Sequence, residues 1–255
     1  MSHEDYPWRL RLHHKGYASV LVERRGRWIR FDPYDAPEGD DVSVLTWTET
    51  ERCRGVIQAI GEGKRPTVVA TPPTRMWLSA KGAVDDCSPG GKVDKVKIDA
   101  IEYQPVPYAT APEAVFKAKA ALMNPRLALS RLKGRAEKPK GNPLAVMLTL
   151  PDGGRLVHLN CALHRGTDPA WIDRAIELFG GADWLVVGVD YGEGEAVMEH
   201  VPRFNAKLVL IADLVNETRR DLGLPTFILT PIVDRLVEMK IAAHPFVREA
   251  SFRFE

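Results

Sequence analysis

Cysteine is scarce in this chain, and long apolar runs are missing altogether. Cys53, Cys87 and Cys161 are an odd number with no metal-site spacing. They speak against a disulfide framework and fit free thiols in a reducing cytosol. No apolar stretch approaches the roughly 20 residues that span a bilayer. Met1 to Arg9 is polar and charged, with no signal-peptide apolar region, so a cytoplasmic protein with no membrane partner is expected. Charge of either sign is not in excess. Lys and Arg number 35 and Asp and Glu 34, for a net charge of +1, which leaves no global attraction to nucleic acid or an anionic surface. Histidine is thinly spread. His3 lies in the polar start, His13 and His14 are adjacent and would point to opposite faces of a strand, and His200 and His244 have no partner at ligand spacing.

What is present is a good core. At 255 residues, 45% of them hydrophobic, the chain suits a single large domain. Gly16 to Glu23 and Trp28 to Phe31 are apolar runs around a charged turn with Gly26, which reads as a hairpin. Asp32-Pro33 stops the second strand, because proline cannot donate to a ladder. Val42 to Leu45 is a short strand, and a helix is expected from about Thr50 to Ile60. A strand at 67–70, a helix at 74–79 and a strand at 96–103 follow. Leu144 to Leu150 and Arg155 to Asn160 flank Pro151-Asp152-Gly153-Gly154, a hairpin signature. Thr167-Asp168-Pro169 announces a helix to Phe179, with apolar residues at helical spacing. Strand 184–188, helix 194–202, strand 207–211 and helix 214–221 complete the alternation. Mixed strands with helices outside predict an α/β fold, a four-layer αββα sandwich.

The stretch Asp40 to Gly55 sharpens this. Thr46 ends a strand and Gly55 follows nine residues later. The spacing resembles the metallo-β-lactamase superfamily, whose metal site reads Thr-His-x-His-x-Asp-His-x-x-Gly. The ligand positions here are Trp47, Glu49, Glu51 and Arg52, with no histidine. Gly16-Tyr17-Ala18-Ser19 with its apolar run and Glu23, then a strand ending in Asp32-Pro33, resembles the branch of ascorbate-phosphate lactonases, with Tyr17 standing where that branch has His. Later landmarks fall in the same order. Tyr108 sits near the next ligand histidine, Asn160 takes the place of a metal-bridging Asp, and Asp213 that of the last ligand histidine. The resemblance spans roughly the whole chain. It implies a single domain over 1–255 whose metal site is dismantled or rebuilt.

Residues 109–143 exceed that template. They read as an Ala- and Lys-rich helix broken at Asn124-Pro125, followed by a basic run that includes Arg126 and Arg131. This is either a solvated flap or a basic lid over the pocket that recruits an anionic ligand. Glu49, Glu51, Asp213 and Tyr108 are the candidate catalytic groups. Trp47, Arg52, Asn160, His158, His164, Arg126 and Arg131 are the candidate ligand-binding ones. Three carboxylates on one pocket need a cation, and Arg52 can supply it as a fixed charge. The plainer alternative puts Glu49, Glu51 and Arg52 on an exposed first helical turn, where the dipole favours acids. No zinc site is expected without His or Cys donors; the alternative is zinc, or magnesium on oxygen ligands, at a rebuilt site. Cys161 beside His164 lacks any activating pattern for a nucleophile.

Three functions compete. The loss of histidine ligands favours a metal-free pseudoenzyme that binds a ligand or a protein partner, with a homo-oligomer open. The polar replacements favour a hydrolase or lactonase with rebuilt chemistry on an anionic small molecule. Near-zero net charge and the lack of interleaved aromatics disfavour a nucleic-acid module.

Overall fold

In the computed structural model, residues 10–24, 26–38, 41–47, 52–82, 85–86, 96–98, 101–107, 142–221, 223 and 225–254 are described. Two seven-stranded sheets face each other. The first contains β1 (Leu10–Gly16), β2 (Ser19–Arg24), β3 (Arg27–Phe31), β4 (Val42–Val44), β5 (Thr67–Val69), β6 (Asp85–Asp86) and, from the C-terminal end, β14 (Ser251–Phe254). Its order is β14-β1-β2-β3-β4-β5-β6. The second contains β7 (Val96–Ile98), β8 (Ile101–Pro107), β9 (Leu144–Thr149), β10 (Arg155–His158), β11 (Trp184–Gly188), β12 (Leu208–Ala212) and β13 (Ala243–Phe246), in the order β13-β12-β11-β10-β9-β8-β7. Hairpins begin each sheet, and parallel pairing takes over at β3–β4–β5 and at β10–β11–β12–β13.

Three apolar layers explain the stacking. Successive strand residues point to opposite faces, and in the inner parallel strands both faces are apolar. Val146, Val186 and Leu210 meet Leu12, Val20, Phe31 and Val44 between the sheets. Their neighbours Met147, Leu185 and Ile211 pack outward instead, against α3 (Pro169–Phe179), α4 (Gly194–His200) and α6 (Thr230–Glu238). On the first sheet Val68 and Leu45 pack outward against α1 (Arg54–Gly61) and α2 (Pro72–Ser79). α5 (Asn216–Asp221) follows β12. Helix, sheet, sheet, helix is therefore the layer order, as the alternation predicts.

Several elements differ from the sequence reading. Tyr17 and Ala18 are not strand. They sit at φ 48 and 73 in the turn between β1 and β2, and the strand starts at Ser19. α1 begins at Arg54 rather than near Thr50, with no side-chain cap on Cys53. The helix after β11 ends at His200, where Pro202 tightens the chain into a 3-10 turn at Val201–Phe204. α6, β13 and β14 were not anticipated. β13 carries Pro245, a residue that argues against a central strand but is tolerated on a sheet edge. The cap at Asp168 is as expected, its side chain accepting from Ala170 N–H.

Candidate functional site

The C-terminal ends of the parallel strands lie at one edge of the sandwich, the usual place for a crevice in α/β sheets. Asp32 leaves β3 there in the left-handed region, at φ 43. This conformation turns its fully buried carboxylate back onto the end of β4. It accepts the Thr46 N–H at 2.7 Å and the Thr46 hydroxyl. Arg52 Nη1 donates to the same carboxylate at 3.2 Å, and the Arg52 side chain is 12% exposed. Burial pushes the Asp32 carboxyl above its ordinary range, while Arg52 and the Thr46 bonds oppose that rise.

The second sheet closes onto the same group. Asn160, at φ 53, leaves β10 and donates from Nδ2 to Thr46 Oγ1 at 2.9 Å. Its carbonyl accepts Gly188 N–H at 2.7 Å. Thr46's own carbonyl accepts Leu144 N–H at 2.7 Å. His158 stacks on Phe31, with ring centroids 4.6 Å apart, and its Nδ1 accepts the Asn160 N–H at 3.2 Å. Burial, then the nearby Arg52 charge, lowers the His158 imidazole to about 3.

Gly55 shows why a glycine ends the Thr46–Gly55 stretch. Its N–H donates to Pro33 carbonyl at 2.8 Å. A Cβ there would overlap the Asp35 carbonyl oxygen and lie 2.6 Å from that of Pro33. The start of α1 thus rests directly on the loop after Asp32, which brings Arg52 within reach of that carboxylate.

Of the other expected residues, Asp213, His164 and Trp47 are described. Asp213 is half-buried. Its Oδ1 accepts Asn216 N–H at the start of α5, and its carbonyl accepts from His14 Nε2 at 3.0 Å. His164 holds its own loop, with Nδ1 accepting Gly166 N–H. Trp47 packs against the outer core of the second sheet, and its ring lies 5.8 Å from the Arg52 guanidinium carbon. Glu49, Glu51, Tyr108, Arg126, Arg131 and nearly all of the 109–143 insertion lie outside the described residues. Cys161 is buried, and burial followed by the charge of Asp190 pushes its thiol up to about 12. Such a thiol stays protonated at neutral pH and makes a poor nucleophile. Asp32, read from the sequence only as the end of a strand, is the carboxylate that meets Arg52.

The rim carries aromatic and charged groups. Tyr17 stacks on Tyr34 at 4.5 Å, and the Arg54 guanidinium covers Tyr34 at 4.2 Å. Tyr17 N–H and Arg248 both donate to Glu217, and Tyr17 OH donates to Asp221. Across the edge, Arg219 lies 4.5 Å from the ring centre of Tyr191.

The described donor set does not fit a metal ion. Among the described residues, no three His, Cys, Asp or Glu side chains are grouped to hold one. The Asp32 oxygens already face Thr46 and Arg52, and the guanidinium is a permanent cation. The His14 imidazole, like that of His158, is lowered chiefly by burial. A depressed histidine binds a proton in the unfolded chain first, so its contribution to stability is lost as pH falls below about 6.5. Proton-detected titration is therefore expected to show His158 ring shifts that stay flat from pH 8 down to pH 5. A midpoint near 6.5 would contradict the closed geometry.

Similar solved structures share this architecture at low identity. A metallo hydrolase from the archaeon Ignicoccus hospitalis superposes with a TM-score of 0.65 at 12% identity, covering 96% of this chain and 98% of that one. An isothiocyanate hydrolase from Delia radicum gut bacteria gives 0.61 at 11%, covering 96% and 99%. CmlA, a diiron β-hydroxylase from Streptomyces venezuelae, gives 0.61 at 10%, covering 98% of this chain and 55% of that one. No protein-family model matches the sequence, and no curated protein matches it significantly. The chain has the αββα fold of the metallo-β-lactamase type. That fold is shared with metal-dependent hydrolases and with a hydroxylase, so it does not by itself select a reaction. No helix among the described residues is long and apolar enough to cross a membrane.

Proposed function

We propose that this chain is a metal-free member of its fold class, a pseudoenzyme that binds an anionic small molecule at the strand-end crevice. One observation carries the reading. A guanidinium, Arg52, is a partly exposed cation at the strand ends, seated on a fully buried carboxylate. Arginine offers a planar fork of donors suited to carboxylate or phosphate. The Asp32 bond orients that guanidinium at the strand ends. The hydrolase or lactonase reading is weaker. Among the described residues, Asp32 is bound by Thr46 and Arg52, Cys161 stays protonated, and neither is placed to activate water.

Elemental analysis after dialysis is expected to find no stoichiometric zinc, and chelator is expected to leave the melting temperature unchanged. Calorimetric titration with inorganic phosphate and acetate is expected to show binding that Arg52→Gln loses and Arg52→Lys weakens. About one zinc per chain, with a chelator-sensitive Tm, would overturn the reading. So would anion binding that Arg52→Gln leaves intact.

A further inference from the structure

His14, near the end of β1, commits both of its ring nitrogens. Nε2 lies 3.0 Å from the Asp213 carbonyl oxygen, which can only accept, so Nε2 carries the proton. Nδ1 accepts the Gly16 N–H at 3.0 Å, so it carries none. The two bonds independently assign the same neutral tautomer. The second of them holds a demanding turn. The β1–β2 ladder slips between His14 and Gly16, and Gly16, Tyr17 and Ala18 follow at φ 92, 48 and 73. Tyr17 and Ala18 have side chains that disfavour this left-handed region, so the turn depends on its bonds. Those are the imidazole on Gly16 N–H, Glu217 on Tyr17 N–H, Asp221 on the Tyr17 hydroxyl, and the stack on Tyr34.

A second proton on this ring has one place to go, Nδ1, where it meets the Gly16 N–H head on. That bond must break before the ring can charge. We propose that His14 is an acid-released latch: protonation of Nδ1 frees the Gly16–Ala18 turn and lifts Tyr17 off Tyr34 at the strand-end rim. The surroundings oppose a charged ring while the turn is closed. Burial lowers the proton affinity of His14 and outweighs Asp213, after β12, and Glu217, on α5, the two acids that raise it. Arg248, in the loop after β13, is bonded to Glu217, and Glu249 in the same loop donates its N–H to the His14 carbonyl. His158 on β10 is a second imidazole within electrostatic range. Phe246 on β13 packs edge-on against the ring, Val20 lies opposite on β2, and Lys15, next in the chain, is exposed. Once the turn opens, Nδ1 reaches water and the ring regains its ordinary affinity. Protons therefore bind the open form first. Acid favours it by up to about tenfold for each pH unit below about 6.5.

Amide hydrogen exchange on the full chain, read by NMR and corrected for intrinsic rates, tests the latch. Between pH 7.5 and pH 5 the protection of Gly16 and Tyr17 is expected to fall about tenfold or more beyond that of Val186 in β11, which reports the whole fold. His14→Asn keeps an acceptor for the N–H two residues on, as asparagine does in turns, and cannot titrate. In that variant the acid-induced loss at Gly16 and Tyr17 should disappear. Wild-type protection at Gly16 and Tyr17 that merely tracks Val186 would overturn the proposal. So would a loss that persists in His14→Asn, since another group would then be responsible. If that variant fails to fold, the wild-type ring supplies the check. Its nitrogen shifts at pH 7.5 should show a bare Nδ1 and a protonated Nε2; the reverse tautomer leaves Gly16 without its acceptor and ends the proposal.

Discussion

Arg52→Ala is expected to destabilise the protein by about 3–5 kcal/mol at neutral pH, the usual cost of stranding a buried charge. Asp32 is fully buried, and Arg52 is the cation bonded to its carboxylate. Thr46 would remain as a hydrogen-bond donor, but not as a charge. The pH dependence gives a second signature. Asp32 already has a raised pKa from burial, and Arg52 is the largest influence opposing that rise. Without it the folded-state value climbs further. A carboxyl raised on folding contributes stability while protonated and loses it as pH rises from the unfolded value through the folded one. The penalty should therefore shrink in acid, below the ordinary carboxylate range, and grow toward neutrality. Urea unfolding of wild type and variant at pH 4 and pH 7 measures it. A variant as stable as wild type at pH 7 would return Arg52 to the role of a solvated helix-turn residue.

Gly55→Ala should cost about 3 kcal/mol or more, and the cause is backbone rather than side chain. The added carbon meets the carbonyl oxygens of Asp35 and Pro33, and neither can rotate away as a flexible side-chain tip would. Relief requires the start of α1 to move off the loop after Asp32. That shift would also break the Gly55 N–H bond to Pro33. The variant should therefore lose anion binding along with stability, although Gly55 has no side chain to touch a ligand. A wild-type melting temperature in Gly55→Ala would show that the loop yields cheaply. An ordinary helix-interior Gly→Ala change, by contrast, is stabilising.

The layers were legible because strand periodicity is a local signal. Val146, Val186 and Leu210 each sit next to an apolar residue that faces the other way. Such two-sided runs mark strands covered on both faces. The electrostatic centre was not legible. Asp32 and Arg52 are 20 residues apart, and their bond depends on the left-handed turn at Asp32 and on α1 resting on the following loop. Nothing in the spacing distinguishes Asp32 from an acid that simply ends a strand. β13 and β14 escaped for a different reason. They are four residues each, one holds a proline, and each is an edge strand whose pairing is supplied by its single neighbour, β12 for β13 and β1 for β14. The role of His14 lies further from sequence still, since it emerges only after both of its ring nitrogens are assigned.

Apolar surfaces tolerate small slides against each other, because contact area changes little with displacement. Hydrogen bonds do not. Thr46 bonded to Leu144 and Asn160, His14 to Asp213, and Tyr17 to Glu217 tie one sheet to the other at the strand-end edge. At the far edge, Arg24 Nη2 and Asp152 Oδ2 lie 3.7 Å apart. The sandwich thus resembles a book clasped along one side, with alignment enforced at the clasp and merely permitted across the pages. Thermal breathing should open the Arg24–Asp152 side first. Amides flanking the Asp152 turn should then exchange well before those of Thr46 and Asn160.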